Sequence, residues 1–237
     1  MREKRFLFLW RIKFLRNQKM GEELNYQDEQ LRLMFDQVNE LFFEFGIKNL
    51  NMDDISRKLG ISKKTLYRYV KSKEDLIDKL FEYERLKGDE VMSEIGRQNV
   101  NAIEKLFKVS LHVFEEMKRF NPMLMFELRK YYEQLFSEHH ALKIEHISRL
   151  MKLNVLQGIE EGLYRRDLNI DASVALYMNY LIEVHNHDFC KSISLSFDEL
   201  FRIMFENHVR AISTLEGVAY FERRKKEITE NLNKNIN

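Results

Sequence analysis

The sequence predicts an all-α protein: an N-terminal three-helix domain containing a helix-turn-helix, then a larger helical domain, about nine helices in total. Three observations predict it. The 237 residues include one Pro and only eight Gly in a chain rich in Leu, Glu, Lys and Phe, so helix breakers are scarce and helix formers abundant. Apolar residues recur at steps of three and four, the period of a helix face, with no strand-like alternation. Finally, a capping residue with an acid three positions on recurs at Asn51 and Asp54, Ser72 and Asp75, Asn101 and Glu104, and Ser196 and Glu199. That pairing satisfies the free N–H groups at a helix start.

Each element follows in order. Leu31, Phe35, Val38, Phe42 and Phe45 mark one face of a first helix over about 27–45, ended by Gly46. Asn51 caps a short second helix, in which Ile55 and Leu59 share a face. Gly60 ends it, and Ser62 caps a third, with Leu66 and Val70 inward. Ser72 opens a fourth, to about residue 96. Asn101 opens a fifth, with Phe107, Leu111, Phe114 and Met117 on one side. Asn121 followed by Pro122 reads as cap plus first-turn proline for a sixth helix, through about 136. A seventh is expected over 138–161, stopped by Gly162, an eighth over 171–187, and a ninth from the Ser196 cap to about 217. The end of the chain, ERRKKEITENLNKNIN, reads as a polar tail over 218–237, a frayed extension at most.

The third helix carries the chemistry. With Leu66 and Val70 inward, its outer side presents Lys63, Lys64, Thr65, Tyr67, Arg68 and, near its end, Tyr69. A cationic, hydroxylic and aromatic helix face suits the DNA major groove and its flanking phosphates. Lys63, Lys64 and Arg68, with Lys48 and Lys73 beside them, supply the positive charge that displaces counterions. The charge pattern agrees. Net charge is +1 overall, but +6 over residues 1–20, −6 over 21–45, +4 over 46–75 and −3 over the remainder. Positive charge is concentrated where DNA would lie.

Residues 42–77, FFEFGIKNLNMDDISRKLGISKKTLYRYVKSKEDLI, resemble the DNA-binding domain of the TetR/AcrR family of bacterial transcriptional regulators. Gly46, MDDI, LGISKKTLY and KSKEDL fall in that family's order and spacing, over about a seventh of the chain. Residues 161–169, EGLYRRDLN, resemble the turn before the family's last two helices. The resemblance implies an all-helical homodimer on a palindromic double-stranded operator, with a small-molecule pocket in the C-terminal domain. It assigns phosphate contacts to Asn51 or its neighbours, Ser62, Tyr67, Tyr69 and Lys73, and base-edge contacts to Lys63, Lys64 and Thr65. The expected domains are 21–70 for DNA binding and 71–217 for ligand binding and dimerisation, with the physical boundary inside the fourth helix.

Residues 1–20, MREKRFLFLWRIKFLRNQKM, stand apart. Their apolar core, FLFLW, is too short for a secretory segment and lacks a cleavage site. They read as translated upstream sequence with a start at Met20, as a basic DNA-gripping arm, or as a membrane-surface amphipath. The first is favoured, because chains of the resembled family begin shortly before their first helix.

The remaining expectations concern the larger domain. Aromatic and Met residues, with a Leu among them, could line an apolar effector cavity: Phe81, Met92, Phe107, Leu111, Phe114, Met117, Phe126, Tyr131, Tyr177 and Tyr180. At each position, ordinary core packing competes. Val174, Met178, Leu181 and His185 on the eighth helix, with Phe201, Phe205, His208, Ile212 and Leu215 on the ninth, form stripes that could pair with their copies as a dimer seam. The competing reading buries both stripes in the monomer. His185 and His208 are expected to be neutral and hydrogen-bonded rather than pH switches. His185, His187, Asp188 and Cys190 do not converge as a metal site on a continuous helix. His139 and His146 share a face without a partnering carboxylate or Cys.

One cysteine precludes an internal disulfide and fits a reducing cytoplasm. No apolar run reaches membrane-spanning length. No nucleophile–base pair, Gly-rich phosphate loop or metal motif supports an enzyme, and no cofactor is expected. The expected function is ligand-responsive repression. The alternative is a constitutive DNA-binding protein of this fold that recruits a protein partner without any effector.

Overall fold

The computed structural model describes residues 24–26, 28–118, 121–183 and 194–234. All regular elements among them are helices: α1 (Glu29–Phe45), α2 (Met52–Lys58), α3 (Lys63–Tyr69), α4 (Lys73–Arg97), α5 (Ala102–Lys118), α6 (Pro122–Tyr131), α7 (Glu133–Glu160), α8 (Ile170–Glu183), α9 (Phe197–Ile212) and α10 (Leu215–Lys234). The chain separates into two compact units, divided between Tyr83 and Glu84 within α4.

In the first unit, Leu31, Phe35, Val38 and Phe42 of α1 are buried with Ile55, Leu66, Val70, Leu76 and Ile77. Asp28 caps α1 through Oδ1, which accepts from the Gln30 and Leu31 N–H groups. The Tyr26, Phe35 and Tyr83 rings gather with centroids 5.4–6.3 Å apart, and the Tyr26 hydroxyl donates to Glu82 at 2.8 Å. Gly60 closes α2 at φ +67°, the left-handed region that an L side chain enters only with strain.

In the second unit, α7 packs against α5, α6 and α8, and α9 packs against α5, α8 and α10. Their common core joins Ile103 and Leu106 with Val155, Tyr164, Val174, Tyr177, Phe201, Phe205, Val209 and Phe221. The α5 start is held from outside itself: Glu161 accepts from the Ala102 N–H at 2.8 Å, placing a carboxylate at a helix N-terminus.

Two elements differ from the sequence reading. The break between the sixth and seventh helices falls at Tyr132 (φ −136°, ψ 40°), not near residue 137, and no Gly or Pro marks it. The supposed polar tail is α10. Ser213 is extended and ends α9, forming a short antiparallel bridge with Tyr164. Thr214 then starts the new helix by accepting from the Gly217 N–H at 3.1 Å. The helix approaches so closely that a Cβ on Gly217 would lie 2.1 Å from the Leu163 carbonyl oxygen. Phe221 is fully buried, its ring stacked 5.2 Å from Phe107. Tyr220 and Arg224 reach Glu104 at 3.0 and 2.7 Å, and Lys225 reaches Glu206 at 2.8 Å. Burial pushes the Glu206 carboxyl up, but hydrogen bonds from Lys225, Arg210 and Arg202 outweigh it and leave the pKa below the usual carboxylate range.

Candidate nucleic-acid interface

The interface is built on two seven-residue helices held by local hydrogen bonds. Asn51 closes α2 with a reciprocal box: its Oδ1 accepts from the Asp53 and Asp54 N–H groups at 2.9 Å, while Asp54 accepts from the Asn51 N–H at 3.2 Å. Ser62 caps α3, accepting from the Thr65 N–H at 3.0 Å, and the Ser62 and Thr65 hydroxyls lie 2.7 Å apart. Both hydroxyls that the resemblance assigns to DNA therefore also hold the α3 N-terminus. Leu66 and Val70 fasten the helix to the core.

The two ends of this substructure are tied down by lysines. The Lys73 ammonium donates to the Ile47 carbonyl. The Lys79 ammonium donates to the Tyr69 carbonyl at 2.7 Å and to Asp75 at 3.1 Å, which fixes the end of α3 to the start of α4. Stiff mounting matters here, because a reading helix must present its side chains without paying again for their order.

The outward residues are then Lys63, Lys64, Tyr67 and Arg68, all exposed, with Thr65 and Tyr69 half-buried at the margins. Lys48 and Asn51 are exposed beside them, and Lys73 is half-buried. Of the ten residues named from sequence, Lys63, Lys64, Thr65, Tyr67, Arg68 and Tyr69 lie on α3 and Ser62 caps it, whereas Lys48 lies in the turn before α2, Asn51 caps α2 and Lys73 begins α4. Their charges are unequal, which the sequence did not reveal. Lys63 pairs with Asp53 of α2 at 2.6 Å, and that hydrogen bond and charge raise the Lys63 pKa. Among the described residues, Lys64 and Arg68 have no ion-pair partner.

The residues named for an effector cavity divide. Phe107, Phe114 and Met117 pack on the second unit's core, and Tyr177 is buried within it. Phe107 stands 5.3 Å from Phe205, and Phe114 lies 5.7 and 5.2 Å from Phe197 and Phe201. Met92 is half-buried. Leu111, Phe126, Tyr131 and Tyr180 are exposed on the single chain, because they fall on the outer sides of their helices, and do not line its interior. Phe81 is half-buried and belongs to the first unit.

The expected dimer stripe needs correction. Val174, Met178, Phe201, Phe205, His208 and Ile212 are buried within one chain and Leu181 packs against the same core, so the stripe is covered within the monomer, as the competing reading has it. Periodicity identified a face that must be buried; α8, α9 and α5 bury it against one another. Leu215, at 92% exposed, starts α10 and does not continue the α9 stripe. His208 is neutral as expected but not hydrogen-bonded: Nε2 lacks a partner, and the ring stacks on Tyr177 at 3.9 Å. His185, His187, Asp188 and Cys190 lie outside the described residues, as do residues 1–20. His146, expected to lack a carboxylate partner, pairs with Asp89 at 2.9 Å. Among the described residues no cluster could hold a metal, and no helix is long and apolar enough to cross a membrane.

Residues 36–80 match the family model of bacterial regulatory proteins, tetR family, a span from within α1 to within α4. The chain is similar to the HTH-type transcriptional regulator YvaF of Bacillus subtilis (strain 168), 25% identical over 142 residues, 60% of this chain and 74% of that one. Its fold is similar to that of the fatty acid degradation regulator FadR from Bacillus halodurans, at 17% identity and TM-score 0.58, covering 80% of this chain and 96% of that one. It is also similar to AibR, crystallised with isovaleryl coenzyme A and operator DNA, at 16% identity and TM-score 0.51, covering 75% and 96%.

Proposed function

We propose that this chain is a transcriptional regulator of the bacterial tetR family, whose model its residues 36–80 match, and that it acts as a homodimeric repressor of a palindromic operator, released by a small apolar or aromatic effector. The observation that carries the proposal is the outer face of α3. A helix fixed by Ser62, Leu66 and Val70 presents Lys64 and Arg68, which have no ion-pair partner among the described residues. Lys64 and Thr65 are proposed to face base edges, while Lys63, which the resemblance also assigned there, is turned toward Asp53 of α2. Asn51, Ser62, Tyr67, Tyr69, Arg68, Lys48 and Lys73 are proposed to follow the phosphates.

A palindromic operator needs two heads in fixed relation. The seam is proposed on faces that one chain leaves open. Leu176 and Tyr180, 59% and 58% exposed, stand four apart on the outer side of α8, and Ile203 is exposed on α9. Exposed apolar groups collected on adjacent helices mark an interface. The effector is proposed to act in the second unit and to be felt through α4, whose residues belong to both units. It shifts binding only to the extent that it prefers the conformation with the wrong head spacing. The isovaleryl coenzyme A held by AibR supports acyl thioesters as the first class to try.

The constitutive reading also has an observation in its favour: Phe107 and Phe114, named for the cavity, are occupied, Phe107 stacked on Phe221 and Phe114 stacked on Phe197 and packed at a tilt on Phe201. Footprinting of the purified protein on DNA flanking its own gene, with and without an acyl-coenzyme A series, separates the two. Protection of an inverted repeat that one acyl chain length abolishes supports the repressor. Protection that neither the acyl-coenzyme A series nor a panel of small apolar and aromatic compounds changes supports the constitutive protein, and absence of protection refutes both.

A further inference from the structure

The recognition helix does not carry three equivalent cations. Asp53, in the first turn of α2, faces Lys63, the first residue of α3, and their charged atoms meet at 2.6 Å. The neighbouring Asp54 is engaged elsewhere, with the Asn51 N–H at 3.2 Å and with Arg57 at 3.5 Å, so Asp53 is the carboxylate of that turn that serves α3. Both members of the pair are about half exposed. An ion pair in that setting contributes little to stability. Its consequence lies in the charge that α3 offers to a polyanion.

We propose that Asp53 is a specificity-determining residue of the DNA interface, acting as a positioning group through Lys63. The proposal rests on the DNA-binding reading above. A free lysine on a recognition helix follows whichever phosphate is nearest on any duplex, and each such contact releases counterions. Held by Asp53, Lys63 is withdrawn from that sequence-independent binding and its ammonium keeps one direction, toward α2. Lys64 and Arg68 remain to engage DNA. On a correct operator the bases fix the register of α3, and the fixed Lys63 sacrifices little. On an arbitrary duplex its withdrawal removes affinity. Asp53 therefore widens the gap between right and wrong sites by weakening the wrong ones.

The test uses the full chain, a duplex that it selects from a randomised pool, and a scrambled duplex of equal length. Asp53→Asn, Lys63→Gln and the double variant are titrated on both duplexes across a salt series, with thermal melts to confirm folding. For a dimer, with one lysine freed per head, Asp53→Asn is expected to tighten scrambled binding roughly tenfold and to steepen its log–log salt slope by about two. Operator binding tightens less, so the operator-to-scrambled ratio falls. In the Lys63→Gln background the same substitution changes neither slope nor ratio, and Asp53→Glu retains the wild-type ratio. Equal tightening on both duplexes, or an effect that persists without Lys63, overturns the proposal by showing that Asp53 acts only as a diffuse negative charge. Failure of the wild type to enrich any duplex overturns the DNA-binding reading and this proposal with it.

Discussion

His208 gives a sharp test of how the second unit is packed. It is buried on α9, its Nε2 has no hydrogen-bond partner, and its ring lies 3.9 Å from that of Tyr177 at 20°. Burial lowers its pKa from 6.5 to about 4, and burial pushes the Tyr177 phenol up, so both rings are neutral at pH 7. The unfolded chain takes up a proton at this residue near pH 6.5, whereas the folded chain resists until about 4. Between those values the unfolded state binds more protons, so stability falls as pH falls and levels off below the folded pKa. From pH 7 to pH 5 the linked loss is about 2 kcal/mol. The comparison is urea unfolding of wild type and His208→Phe at both pH values. The variant keeps an aromatic ring over Tyr177 but cannot titrate, and the other titrating groups are common to both proteins. Its pH 7-to-5 loss is expected to be smaller by about 2 kcal/mol. Equal losses in the two proteins would show that His208 is solvated or hydrogen-bonded, and would refute the packing described around it.

Two further outcomes follow from the same structure. Phe221→Ala removes a fully buried ring from between Phe107 and Phe205 and should cost about 3–5 kcal/mol in denaturant unfolding; an unchanged midpoint would mean that α10 does not dock. Tyr180→Asp places charge on the proposed seam and should give a folded monomer by light scattering, with operator affinity largely lost, whereas an intact dimer would put the seam elsewhere.

What the sequence disclosed was local. Asn51 with Asp54, and Ser196 with Glu199, both close as capping boxes because donor and acceptor lie within three residues of each other. Gly60 and the inward Leu66 follow from equally short-range rules. The exposure of Lys63, Lys64, Tyr67 and Arg68 on one side of α3 was legible for the same reason, since the inward Leu66 and Val70 lie in the same short segment.

Properties set across long separations were not legible. The α8 and α9 stripes were recognisable as faces to be buried, but periodicity cannot say whether the covering surface comes from the same chain. Phe221 was hidden in a polar segment whose charges find partners far away, Arg224 at Glu104 and Lys225 at Glu206. A signal for α10 was present in Thr214, which caps Gly217, and in Val218 and Phe221 three apart. The break at Tyr132 left no such signal. The pairing of Lys63 with Asp53 joins two helices across the turn, and only their placement in space reveals it.

We propose that α3 reads DNA through Lys64 and Arg68, which have no ion-pair partner among the described residues. The most direct measurement is the affinity of wild type and Lys64→Met for operator and non-operator DNA between 50 and 200 mM salt, a range over which several phosphate contacts change affinity by orders of magnitude. Wild type should show a steep negative salt slope and a clear operator preference, and Lys64→Met should lose roughly 1–3 kcal/mol of that preference. A wild type with a flat salt response and equal affinity for both duplexes would contradict the account.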